Sequence, residues 1–110
     1  MEYEWGEDKR LLNLEKHGWD FAEAHRIWDE KAPVNEEYSE RKGEERWIAV
    51  GRIGSKTVSI IYEDVAEDRK RIISMRDASD KERIDYERLL LRETGKANDI
   101  SRLIDDLTRE

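Results

Sequence analysis

The sequence predicts one α+β domain in which two N-terminal helices pack on an antiparallel sheet of three to four strands. Three segments rich in β-branched residues alternate in polarity as half-buried strands do, over residues 46–50, 57–62 and 71–76. Apolar residues at helical spacing occur before and after them. A chain of 110 residues is long enough for a single modest core.

The N-terminal third predicts a short strand over 2–5 and two helices. Glu7 and Asp8 mark the first turn of a helix that runs to His17 and stops at Gly18. Asp20 caps a second, short helix over 21–28. From these patterns we expect one core containing Phe21, Ala24, Ile27, Trp47, Ile60 and Ile73.

The remaining segments predict loops and two further helices. Residues 31–43 are polar and read as a long loop, and the acidic run 63–68 reads as a hairpin turn. Ser79 and Glu82 form a capping box for a helix that runs to Leu91. An amphipathic pattern behind Asn98 predicts a fourth helix. We therefore divide the chain into a main domain, 1–94, and a helical C-terminal extension, 95–110.

Composition limits the class of protein. The chain has no cysteine and no apolar run that could cross a membrane, so we expect a soluble, cytoplasmic protein without membrane contact. Its net charge of −7 argues against binding nucleic acid. The acidity is local, however, because residues 1–40 carry −7 while residues 41–88 carry +1. The central segment can therefore still bind a polyanion.

Metal and cofactor chemistry have no recognisable motif in this sequence. Glycine-rich phosphate loops and metal-binding signatures are absent, and the two histidines lack a third ligand at a known spacing. We expect neither a metal nor a cofactor.

Two groups of basic residues suggest a site for a phosphodiester. Lys9, Lys16 and His17 share one face of the first helix with Asn13, opposite Leu11, Leu12 and Leu14. Such a stripe is more often a solvated face, but cations with an imidazole also suit phosphate binding and proton transfer.

The last strand supplies the second group. Strict alternation places Lys70, Ile72, Ser74 and Arg76 on one side of the sheet and Arg71, Ile73 and Met75 on the other. Arg46 and Arg83 lie at the edges of the same region. Guanidinium groups form bidentate hydrogen bonds with phosphate. Ion pairs with the many surface carboxylates explain these arginines equally well.

Taken together, three blocks resemble the BrnT toxin family of small bacterial proteins from type II toxin–antitoxin operons. The first block comprises Trp5, Lys9, Asn13, Lys16-His17-Gly18, Phe21 and Ala24. The second is the segment from Glu45-Arg46 to Gly51, and the third contains Arg71-Ile72-Ile73-Ser74-Met75-Arg76, Ala78, Glu82-Arg83 and Tyr86. The resemblance covers about residues 1–88. Gly6 and Asp77 depart from the family pattern, and Asp77 removes positive charge beside Arg76.

The resemblance implies a RelE-like ribonuclease fold and a toxin that cleaves RNA. It further implies a BrnA-like ribbon-helix-helix antitoxin as partner, with operator DNA contacted only through that antitoxin. Whether the protein forms a homodimer is left open. The alternative is a weakened relative that acts as an antitoxin-binding co-repressor.

Metal-free RNA cleavage needs a base, an acid and cations around the phosphate. We expect Arg46, Arg71 and Arg76 to hold the phosphate and Lys16 and His17 to transfer or orient protons. Lys9 and Arg83 are expected to bind RNA. The identity of the base stays open.

Overall fold

Five strands form one mixed sheet in the computed structural model, which describes residues 1–93. The strands are β1 (Glu2–Glu4), β2 (Asn35–Arg41), β3 (Glu44–Ile53), β4 (Lys56–Ala66) and β5 (Arg69–Asp77). Their order is β1-β5-β4-β3-β2, with β1 parallel to β5 and every other pair antiparallel. The prediction of an antiparallel sheet with three to four strands is therefore corrected.

Within residues 1–93, three α-helices accompany the sheet: α1 (Glu7–His17), α2 (Arg26–Asp29) and α3 (Asp80–Glu93). The predicted helix over 21–28 is split, because a 3₁₀ turn over Phe21–Glu23 precedes α2. Gly18 ends α1 in the left-handed conformation, with φ of 75°, as predicted. No helix among the described residues is long and apolar enough to cross a membrane. The predicted fourth helix and the extension 95–110 lie outside the described residues.

Strand β2 replaces most of the predicted loop over 31–43. Its partner is β3, and the two are joined at Lys42 and Gly43, which both have positive φ, of 55° and 77°. Two such residues form the tight turn whose twist matches a hairpin. Because β2 is an edge strand, its exposed positions are polar, and the alternation that reveals a half-buried strand is weak.

The core lies between one face of the sheet and the segment that contains the 3₁₀ turn and α2. Phe21, Ala24, Ile27 and Ile60 are buried there as expected, and Trp47 packs against them. Gly51 lets α2 approach β3, because a Cβ on it would lie 3.0 Å from the Cβ of Ile27. A side chain at this position would force the helix away from the sheet.

A β-bulge in β5 overturns the expectation that Ile73 is a core residue. Ser74 pairs with Ile61, whereas Ile72 pairs with the next residue of β4, Tyr62, so Ile73 is the extra residue. The bulge reverses the alternation: Ile72 is 1% exposed in the core and Ile73 is only half-buried. Lys70 likewise moves to the core face, with its Nζ 4.4 Å from the centre of the Tyr62 ring.

Helix α1 lies along the edge of β5 beyond the short β1. The Asn13 amide donates to the Met75 carbonyl at 2.8 Å and accepts from the Met75 N–H at 3.1 Å. It thereby replaces the strand that would otherwise pair there, which protects an open sheet edge. The polar stripe of α1 therefore contains its one buried residue, and Leu11, Leu12 and Leu14 are 52%, 65% and 38% exposed.

Helix α3 covers part of the opposite face of the sheet. The capping box is present as predicted, since the Ser79 N–H donates to Glu82 at 2.8 Å and the Glu82 N–H donates to Ser79 Oγ at 3.2 Å. Tyr86 is fully buried, and its hydroxyl donates to the Pro33 carbonyl at 2.8 Å. Helix α3 contacts β3, and its Glu82 accepts from Ser59 on β4.

Candidate functional site

The uncovered part of the sheet, on the face that α3 partly occupies, collects three of the predicted arginines. Arg46, Glu63 and Arg71 lie side by side across β3, β4 and β5, and Ser74 and Arg76 follow along β5. We call these residues, Arg46, Glu63, Arg71, Ser74 and Arg76, the arginine face. Strand alternation placed Ser74 and Arg76 here correctly. Because of the bulge, Lys70 and Ile72 lie on the other face and Arg71, predicted on that other face, lies here.

Glu63 joins two of these arginines. Its two carboxylate oxygens accept from Arg46 Nη1 at 3.0 Å and from Arg71 Nη1 at 3.4 Å. Each arginine has a second acidic partner: Arg46 donates to Glu44 at 3.0 Å and Arg71 donates to Glu4 at 2.7 and 2.9 Å. The Glu4 carboxylate raises the pKa of Arg71. The result is a carboxylate held between two guanidinium groups on an open surface.

Sequence reasoning missed Glu63, because the acidic run that contains it was assigned to a turn. In fact β4 continues to Ala66. Alternation from Ser59 through Ile61 places Glu63 on the same face as both residues. This extended register is the signal that would have found it.

Arg76 is held by Glu82 at the start of α3. Its Nη1 and Nη2 donate to the two Glu82 oxygens at 2.7 and 3.2 Å, and Ser59 Oγ donates to the same carboxylate at 2.9 Å. Burial raises the pKa of Glu82, but hydrogen bonds from Arg76, the Ser79 N–H and Ser59 outweigh it and lower that pKa to about 2. Glu82 therefore fixes the start of α3 and the direction of Arg76 together.

The basic residues of α1 lie at two separate places. Lys9 lines a depression of about 300 Å³ together with Arg71 and Ile73, which places it beside the arginine face. Lys16 and His17 lie almost two turns further on, at the C-terminal end of the helix. Within residues 1–93, neither has a hydrogen bond or ion pair with a member of the arginine face.

Arg83, predicted to bind RNA, has its hydrogen-bond partner within α3 rather than on the arginine face. It donates to Asp80 within α3 at 2.7 Å and lines a depression formed with Arg52, Lys56 and Thr57. The structure thus brings together Arg46, Arg71 and Lys9 and adds Arg76 along β5. Arg83, Lys16 and His17 have no hydrogen bond or ion pair with the arginine face within residues 1–93.

The charge around the arginine face is uneven. A depression of about 610 Å³ beside Arg46 and Glu63 is lined by carboxylates, those of Glu40, Glu44, Glu45 and Asp64. On the β5 side, the depression lined by Lys9 and Arg71 has one carboxylate, that of Glu4. The β5 side is therefore the more favourable of the two for a polyanion. In the part of the chain that the structure describes, no cluster of three or more acidic or histidine side chains could hold a metal ion.

Comparisons with known proteins give a consistent result. Residues 5–82 match the model of a family described as the ribonuclease toxin BrnT of type II toxin–antitoxin systems. Among solved structures, the chain is similar to the ribonuclease toxin BrnT of Brucella abortus, with 32% sequence identity and a TM-score of 0.56. That match covers 72% of this chain and 97% of the Brucella chain. Among curated proteins, none matches the chain.

Proposed function

Because the chain belongs to the BrnT family of ribonuclease toxins from type II toxin–antitoxin systems, we propose that it cleaves RNA at the arginine face by acid–base chemistry without a metal ion. The observation that carries this proposal is Glu63, a carboxylate placed between Arg46 and Arg71. A carboxylate can accept a proton, and two guanidinium groups can hold the phosphate that receives the new bond.

The reaction is a transfer of the phosphate within the RNA. Glu63 takes the proton of a ribose 2′-hydroxyl, whose oxygen attacks the adjacent phosphorus. The bond from phosphorus to the 5′-oxygen breaks, and the products are a 2′,3′-cyclic phosphate and a free 5′-hydroxyl. Arg46 and Arg71 stabilise the charge that develops on the phosphate oxygens. They must exchange Glu44 and Glu4 for the phosphate, a small cost because exposed ion pairs are weak.

The leaving 5′-oxygen needs a proton. Lys9 is the cation that shares a depression with Arg71 and has no acidic partner within residues 1–93. We therefore assign the acid to Lys9. Lys16 and His17, at the far end of α1, take the role of contacts along the RNA, and Arg76 is a second phosphate contact further along β5.

Cleavage by the purified protein tests this proposal. We expect a single-stranded RNA to be cut at an unchanged rate when a chelator of divalent metals is added. Replacing the ribose at the cut site by deoxyribose should abolish the cut, because the attacking 2′-oxygen is then missing. Loss of cleavage on chelation, or cleavage of the deoxyribose substrate, would contradict the proposed chemistry.

We also propose that the antitoxin is a BrnA-like protein and that it binds the exposed leucines of α1. Leu11, Leu12 and Leu14 form an apolar surface that nothing covers among the described residues. Apolar surfaces of this kind mark protein–protein contacts, and a toxin of a type II system has a protein partner. A protein that acts only as a co-repressor would keep this surface and lack cleavage.

Substituting Leu12 should weaken neutralisation by the antitoxin without changing RNA cleavage. We expect Leu12→Glu to weaken neutralisation by a co-expressed antitoxin at least tenfold, because it buries a charge in an apolar interface. RNA cleavage by the isolated variant should be unchanged, with Glu15→Lys as an exposed control on α1. A variant that instead elutes as a monomer, where the parent elutes as a dimer, would assign the leucines to a second copy of the chain.

A further inference from the structure

Arg52, on β3, differs from the members of the arginine face in its partners. Arg46, Arg71 and Arg76 each hold a carboxylate, whereas Arg52 has no acidic partner within residues 1–93. Its Nε is enclosed and has no hydrogen-bond acceptor. An enclosed donor without an acceptor is costly, and native proteins rarely leave one unsatisfied unless a ligand or water completes it.

The surroundings of Arg52 suit an anion. A depression of about 280 Å³ beside it is lined by two further cations, Lys56 and Arg83, and by the hydroxyl residues Ser55 and Thr57. Asp77 and Glu87 also line it, and Asp77 accepts from the Trp19 indole at 2.8 Å. Arg83 is paired with Asp80, whereas Arg52 and Lys56 have no acidic partner within residues 1–93, so these two cations are available to an anion.

The depression adjoins the arginine face at the end of β5. Arg76 donates to the carbonyl of Asp77 at 3.3 Å, and Asp77 lines the depression. Arg46 and Arg52 point to the same side of β3, and six residues of strand separate them by about 20 Å. An RNA chain lying on Arg71 and Arg76 therefore reaches this depression by passing the start of α3.

We propose that Arg52, Lys56 and Arg83 form a phosphate subsite that binds the RNA backbone away from the cleaved bond. This inference rests on the proposed ribonuclease function. The subsite takes no part in bond breaking: its role is to bind longer RNA and to fix its direction on the sheet. It also gives Arg83, which the sequence assigned to RNA, a place outside the arginine face.

Binding of a labelled 2′-O-methyl RNA, long enough to span both regions, tests the subsite through its salt dependence. For single-stranded RNA, the logarithm of the binding constant falls linearly with the logarithm of the salt concentration. Each phosphate contact contributes about 0.7 to the steepness of this line. We expect Arg52→Gln and Lys56→Gln each to reduce that slope by about this amount and to weaken binding roughly threefold or more at low salt. Lys42→Gln, an exposed lysine in the β2–β3 turn, is the matched control and should leave the slope unchanged.

Kinetics distinguish failure of the subsite from failure of the proposed function. With a long RNA, the two variants should raise KM and leave kcat unchanged, and with a dinucleotide they should behave as the parent does. Unchanged slope and KM in both variants, with cleavage by the parent intact, would overturn the subsite alone. Absence of cleavage by the parent would overturn the proposed function. Lys56 is exposed, so Lys56→Gln keeps the test valid even if Arg52→Gln does not fold.

Discussion

Replacing Ile72 by alanine should lower the free energy of unfolding by about 2–5 kcal/mol. Ile72 is 1% exposed and lies in the core with Tyr62 and Met75, so alanine removes buried methyl groups and leaves a cavity that the rigid sheet cannot close. Urea denaturation followed by circular dichroism measures the change, with the midpoint falling at constant slope.

Ile73→Ala is the matched control, because the same side chain is removed one residue away. Ile73 occupies the bulge and is half-buried outside the core cluster, so we expect a loss of about 1 kcal/mol or less. An equal loss in the two variants, or a larger one for Ile73→Ala, would show that β5 lacks the bulge and that its alternation is regular.

The bulge also shows where sequence reasoning has a physical limit. Period-two alternation correctly placed Ser74, Met75 and Arg76, because these residues lie on one side of the bulge. One extra residue reverses the faces of everything beyond it, and nothing in the run Ile72-Ile73 marks which isoleucine is extra. The position follows only from pairing with β4, which is a long-range contact.

Helix α1 has the bounds that the sequence predicts, but its amphipathic pattern does not reveal which side faces the protein. The sequence method assumes that the apolar stripe of a helix faces the core. Here α1 lies at the edge of β5, where unpaired backbone groups need a polar partner, and Asn13 supplies both a donor and an acceptor. As a result, Leu11, Leu12 and Leu14 are exposed on the outer side of the helix. Whether a strand edge needs a polar partner depends on how the strands assemble, so the sequence of the helix alone does not show it.

The site was predicted in part for similar reasons. Arg46, Arg71 and Arg76 were chosen from residue type, but strand alternation put Arg71 on the side opposite Arg76. The bulge brings all three onto one face. Their carboxylate partners were missed, because Glu4, Glu63 and Glu82 come from three different elements. In a chain with 28 acidic residues, sequence alone does not show which of them meet an arginine.

Glu63→Gln should reduce the rate of RNA cleavage by about 100-fold or more. Glutamine keeps the shape of the side chain, and its amide oxygen can still accept from one of the two arginines, which donate to different oxygens of Glu63. Its amide cannot take a proton from the 2′-hydroxyl. RNA binding should change little. Single-turnover cleavage of a labelled RNA measures the effect. Glu45→Gln is the control, because Glu45 is exposed and lines the depression beside Arg46 and Glu63.

The pH dependence of cleavage separates a base from a side chain that only positions the arginines. A base must be ionised, so if Glu63 is the base the parent should lose activity towards low pH, and this acidic limb should disappear in Glu63→Gln. If Glu63 only orients Arg46 and Arg71, the variant keeps the acidic limb at a lower overall rate. That outcome would leave the two arginines as the phosphate clamp and move the search for the base to the other carboxylate on Arg71, Glu4, whose oxygen lies 2.7 Å from Arg71 Nη2.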